Sequence, residues 1–122
     1  MRFMTIYTAP RDRVDTDAPP SEDDMTRMGR FIAQLEAEGV LVTTDGLMPS
    51  DTGARVRRAG DKITVTDGPF TEAKELVAGY AIVDVASREE AIELAKRFLE
   101  VAGDGESEVR QMHAAPAGGA GL

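Results

Sequence analysis

Val77-Ala78-Gly79-Tyr80-Ala81-Ile82-Val83-Asp84-Val85 is the stretch on which the fold turns. It is the strongest strand signal in the chain, and it runs straight into Ser87 with Glu90 three residues on. That pair predicts a capping box at the start of a helix whose buried stripe is Ala91, Ile92, Ala95, Phe98 and Leu99. Within the strand, Val77, Ala81, Val83 and Val85 fall on one side, Tyr80 and Ile82 on the other. A strand that is apolar on both sides needs cover on both.

Working outward, Phe3 to Thr8 reads as a first strand and Ala9 to Pro20, with three prolines, as a loop. Ser21 offers an N-cap oxygen, and Glu22, Asp23 and Asp24 suit the positive end of a helix. Met25, Met28, Ile32 and Leu35 give that helix one apolar face, and Gly39 ends it. Val40 to Thr44 is a second strand. Ala54–Arg58 and Lys62–Thr66 alternate around Ala59-Gly60-Asp61, which predicts a hairpin with one wet face. Glu108 to His113 is the last strand, and residues 114–122, almost wholly Ala, Gly and Pro, form a flexible tail.

The order β-α-β, inserted hairpin, β-α-β predicts an α+β, ferredoxin-like sandwich over residues 1–113, with an antiparallel sheet and both helices on one face. Phe3 and Tyr7 then oppose Met4 and Ile6 across the first strand. Two helices cover one face of a sheet. The other is an apolar surface larger than a lone chain usually exposes, so a homodimer through that face is expected.

A length of 122 residues holds one domain, and 42% hydrophobic with 30% charged residues is ordinary for a globular protein. A net charge of −8 disfavours a nucleic-acid partner, because phosphate contacts need clustered cations. The absence of Cys removes disulfides and thiolate chemistry, and a single His cannot build a usual zinc site, so no metal is expected. No phosphate loop or dinucleotide fingerprint occurs, so no cofactor is expected either. No signal peptide or apolar span is seen, which predicts a cytoplasmic protein away from membranes.

Asp67-Gly68-Pro69-Phe70, followed by Glu72, Lys74, Glu75 and then Gly79-Tyr80, resembles the YCII-related, or DGPF, family of small bacterial proteins. Gly39-Val40-Leu41, Gly46-Leu47, Pro49, Glu90-Ala91 and Glu108-Val109-Arg110 extend the resemblance over residues 1–113. It implies the dimeric α/β-barrel version of the ferredoxin-like sandwich. Some relatives are encoded near, or fused to, extracytoplasmic-function sigma factors, which implies a sigma-factor partner. More distant relatives are lyases or dehydrochlorinases of small cyclic acids. A His and Asp pair proposed as catalytic in related proteins does not carry over, because the N-terminal half of this chain has no His.

Candidate residues gather around the same junction. Asp67 ends the row Ile63, Val65, Asp67, expected to point inward, and reads either as a general base or as an Asx-turn acceptor before Pro69. Lys74 reads as a partner for an anionic substrate or for Asp67, or as a solvated cation between Glu72 and Glu75. Tyr80 offers its hydroxyl to a ligand or packs at the dimer interface. Phe70, Glu72, Arg110 and His113 are the remaining ligand-binding candidates, Arg110 as a carboxylate clamp and His113 as a proton shuttle. Together these predict a small-molecule-binding homodimer with a cavity between helix layer and sheet edge, accessory to regulation. The alternative is a cofactor-independent lyase, isomerase or dehydrochlorinase-like enzyme using Asp67, Lys74 and Tyr80.

Overall fold

The computed structural model describes residues 1–114. The first strand, β1 (Arg2–Pro10), leads through a one-turn helix α1 (Arg11–Val14) and a loop to α2 (Glu22–Ala37) and β2 (Leu41–Gly46). A 3-10 turn at Ser50–Thr52 precedes the hairpin β3 (Ala54–Ala59) and β4 (Lys62–Asp67). Then come β5 (Glu75–Asp84), α3 (Arg88–Ala102) and β6 (Glu106–Gln111). The main sheet runs β2-β5-β1-β6 with every pair antiparallel, which is the ferredoxin-like α+β arrangement. The tail expected from residue 114 lies, from 115 on, outside the described residues.

Register decides which side chains meet the helices. Gln111, Phe3, Val83 and Leu41 form one row across the four strands; Val109, Thr5, Ala81 and Thr44 form the next. Phe3 and Val83, each 2% exposed, join Phe31 and Leu35 of α2 and Ala91 and Leu94 of α3 in the core. Burial of each Phe, Val or Leu among them contributes about 1.5–3 kcal/mol, so these rows hold the helices to the sheet. The alternate rows, Arg110-Met4-Ile82-Thr43 and Glu108-Ile6-Tyr80-Asp45, face away from both helices. The two-sided pattern of β1 and β5 is therefore a sheet with one covered and one open face.

Both helices start as their sequences dictate. The Ser21 hydroxyl accepts from Asp24 N–H at 3.1 Å and Ser87 from Glu90 N–H at 3.2 Å. Glu90 returns its carboxylate to the N–H of Ala86, one residue before the cap, rather than to Ser87. Gly39 (φ 74°) and Gly103 (φ 96°) end the helices in conformations that side chains disfavour.

Three expectations are corrected. The segment Ala9–Pro20 is not all loop: β1 continues to Pro10, whose fixed φ suits the entry to α1. Val77 does not share a face with Ala81, because Ala78 is an extra residue opposite Tyr7 and Thr8. This bulge turns Leu76 inward and leaves Val77 exposed. The hairpin does not have one wet face but two. Its strands pair only with each other, so the row Ile63, Val65, Asp67 points into solvent.

Candidate functional site

Two places carry organised side chains: the Asp-Gly-Pro-Phe turn and the space between α2 and the sheet. At the turn, the determining residue comes from far away in sequence. Asp15, after α1 and only 9% exposed in its side chain, accepts from the N–H of Ser50 at 2.7 Å and from its hydroxyl at 2.6 Å. The same Ser50 oxygen accepts from Phe70 N–H at 3.2 Å, so one hydroxyl ties the turn to α1. Arg11 Nε lies 3.2 Å from Asp15, though its N–H finds no aligned acceptor among the described residues. These hydrogen bonds from Ser50, with the Arg11 charge behind them, hold the Asp15 carboxyl below its ordinary range.

The glycine of the turn is fixed by a backbone contact. A Cβ on Gly68 would fall onto the Ser50 carbonyl oxygen, and Gly68 N–H donates to Gly53 O at 2.9 Å. The Gly68–Pro69 peptide is cis. Phe70 is buried beneath the Arg55 guanidinium, 3.9 Å from the ring centroid, and Arg55 also pairs with Glu72 at 3.2 Å. The turn is therefore a clasp between α1, the Ser50 turn and the hairpin.

The second place is a cavity of about 630 Å³ between α2, α3 and the helix-facing rows of the sheet. Met25, Met28, Ile32 and Leu35 wall it from α2, and Phe98 and Val101 from α3. The room comes from what is missing. Gly29 falls on the same apolar stripe of α2 as Met25, Met28 and Ile32, and Ala78, Gly79 and Ala81 of β5 lie opposite. A Cβ on Gly29 would meet no heavy atom within 4 Å. Thr5 contributes the polar spot on the floor; the Thr44 hydroxyl is already donated to Tyr80 O at 2.9 Å.

At the rim, Arg13 donates to the carbonyls of Asp104 (2.7 Å) and Ala102 (2.8 Å), steadying the end of α3. Tyr7 donates to Asp104 O at 2.7 Å and stacks edge-on against Phe98. An apolar chamber of this size with few polar groups suits an apolar or amphipathic small molecule; ligand pockets run roughly 300–1,000 Å³.

The structure separates the residues singled out by the sequence. Asp67 and Lys74 are exposed, no ion pair joins them among the described residues, and neither lines the cavity. Tyr80 borders the cavity, but its hydroxyl reaches across the open face to Asp45 at 2.7 Å. That hydrogen bond, and the carboxylate charge behind it, raise the phenol above its ordinary range. Phe70 and Glu72 meet through Arg55. Arg110 lies 3.6 Å from Glu108, and His113 is exposed beyond β6. No three acidic or His side chains converge as a metal site among the described residues, and no helix there is long and apolar enough to cross a membrane.

Asp15, Ser50, Asp45 and Gly29 are the residues that sequence reasoning missed. Gly29 alone carried a local signal, a glycine inside an apolar helical stripe.

The model of the YCII-related domain matches residues 1–113. An uncharacterized protein of Rhizobium meliloti (strain 1021) is 34% identical over 89 residues, covering 70% of this chain and 71% of that protein.

Proposed function

This chain belongs to the YCII-related domain family, and from that premise we propose that it is a homodimeric small-molecule-binding protein. Its ligand occupies the chamber between α2 and the sheet. The observation that carries the reading is the chamber itself, about 630 Å³ of mainly apolar wall beneath a helix that lacks a side chain at Gly29. The space is a cleft that opens to solvent past Met25 and narrows beside Phe31 and Phe98, and its volume falls in the range of small-molecule sites. Pairing of the open faces through Met4, Ile6 and Ile82, each half-buried in a single chain, completes their cover. What favours binding over proton transfer is the position of Asp67 and Lys74, in solvent and away from the chamber walls. The sigma-factor partner rests on the family resemblance alone, and co-purification with the sigma factor is its test.

The ligand reading is tested with 1-anilinonaphthalene-8-sulfonate, whose emission is easily followed in a chain without Trp. Saturable binding of one probe per chain is expected, with the Met25 and Met28 methyl resonances shifting and those of Met1 and Met112 unmoved. No saturable binding, or shifts confined to the open face, would overturn it.

A further inference from the structure

The chamber is apolar except for a few side chains, and one of them is a cation. Of the described residues that line it, Arg13 alone is basic, against Asp24 and Asp45. The Asp45 carboxylate is turned to the open face of the sheet, where it accepts from Tyr80. Asp24 stands exposed in the first turn of α2, whose positive end offsets its charge.

Arg13 is set rather than loose. Its Nη1 donates to Asp104 O at 2.7 Å and to the Tyr7 hydroxyl oxygen at 3.4 Å, and its Nη2 donates to Ala102 O at 2.8 Å. These contacts fix the end of the guanidinium, so the rotamer freedom that an ion pair normally costs is already lost. A guanidinium carries five N–H groups in a rigid fork. Nε–H and the second Nη2 N–H, which point the same way, have no acceptor among the described residues. No carboxylate pairs with Arg13 there either. Two parallel donors of this kind match the two oxygens of a carboxylate.

Tyr7 joins this group to the chamber floor. In its row, Gly46-Gly79-Tyr7-Ser107, two of the four positions carry no side chain, so the floor is open up to the Tyr7 ring. The Tyr7 hydroxyl is itself donated to Asp104 O, which leaves Arg13 as the donor to an incoming acid.

We infer that the chamber takes an organic acid, with an apolar or aromatic body between α2 and the sheet and its carboxylate on the Nε–Nη2 edge of Arg13. The inference rests on the chamber reading and adds the charge of the occupant. A chain of net charge −8 repels anions at long range, so a preference for an acid over a neutral body of the same shape has to come from a local cation.

Two probes share one apolar body. 1-Anilinonaphthalene-8-sulfonate carries an acid group, standing in for the carboxylate, and N-phenyl-1-naphthylamine is the same molecule without it. Both are titrated by fluorescence into the parent, Arg13→Gln and Asp24→Asn. The parent is expected to bind the sulfonate about tenfold more tightly than the neutral probe, the scale of a charge-assisted hydrogen bond. Arg13→Gln should bring that ratio close to one. Asp24→Asn, which removes a like charge from the chamber wall, should widen it about twofold. The ratio separates the head group from any loosening of α3, whose end carbonyls Arg13 also holds, because loosening weakens both probes. If Arg13→Gln does not fold, Asp24→Asn decides: a widened ratio supports the acid, and one that fails to widen overturns it. Equal binding of the two probes by the parent, or a ratio that Arg13→Gln leaves unmoved, would overturn the acid and leave the chamber standing. Binding of neither probe would remove the chamber as well.

Discussion

Replacing Gly29 with Leu is expected to stabilise the protein and close its chamber in one step. Gly in a helix interior costs about 0.8–1.0 kcal/mol relative to Ala, and Leu is nearly as good a helix former as Ala. Gly29 is not among the left-handed glycines, and its Cβ would meet nothing within 4 Å, so neither backbone strain nor overpacking opposes the change. A Leu side chain half buried against Met25, Met28 and Phe98 adds about 1 kcal/mol of apolar transfer. The total is about 2 kcal/mol. Unfolding entropy of about 2.1 cal/mol/K per residue gives about 0.26 kcal/mol/K for 122 residues. The melting temperature should therefore rise about 4 °C from the helix contribution alone and about 8 °C with burial. Scanning calorimetry reads the shift, and the naphthalene sulfonate titration reads the loss of binding in the same variant. A lowered melting temperature would refute the reasoning, since it would mean that α2 sits on the sheet with no room at Gly29. A raised one with probe affinity intact would place the ligand elsewhere.

Two further outcomes follow from the titrating groups. Asp15 gives up its proton more readily folded than unfolded, so its contribution is full above its ordinary value of 3.8 and is lost as pH falls below that through the depressed folded value. Ser50→Ala removes the hydroxyl donor to Asp15 and the acceptor of Phe70 N–H, so the variant should acid-unfold at higher pH. The stability gap between variant and parent should narrow in acid; a gap of constant size from neutral pH downward would count against the tie. Tyr80 behaves in the opposite sense: its phenol is held neutral, so that contribution is full below 10.0 and is lost as pH rises through the elevated folded value. With only two Tyr in the chain, alkaline absorbance resolves it, and Asp45→Asn should bring one transition to lower pH. An unchanged curve would contradict the Tyr80–Asp45 bond.

The legible and illegible parts of this fold divide by the kind of signal each leaves. The two long helices, four sheet strands and two-sided character of β5 were readable because each is a repetition of occupied positions: Met25, Met28, Ile32 and Leu35 at helical spacing, Tyr80 and Ile82 against Ala81 and Val83 at strand spacing. The bulge at Ala78 was not, since a single extra residue leaves the composition unchanged while reversing the face of Val77. Nor did alternation in Val56, Ile63 and Val65 reveal that the ribbon's apolar side faces water. Alternation says that two faces differ, and only pairing with the main sheet would have said which one is inside. The Asp15–Ser50–Phe70 tie spans 35 residues on one side and 20 on the other, and no local pattern joins positions that far apart. The chamber is hardest of all, being made by absent atoms at Gly29, Ala78, Gly79 and Ala81. Yet absence has its own pattern. A glycine on the apolar stripe of a helix lowers helix stability and packs nothing, and its coincidence with small residues on the facing strand marks a cleft. Reading small residues across two facing elements, as closely as large ones along each, would have found this site from sequence.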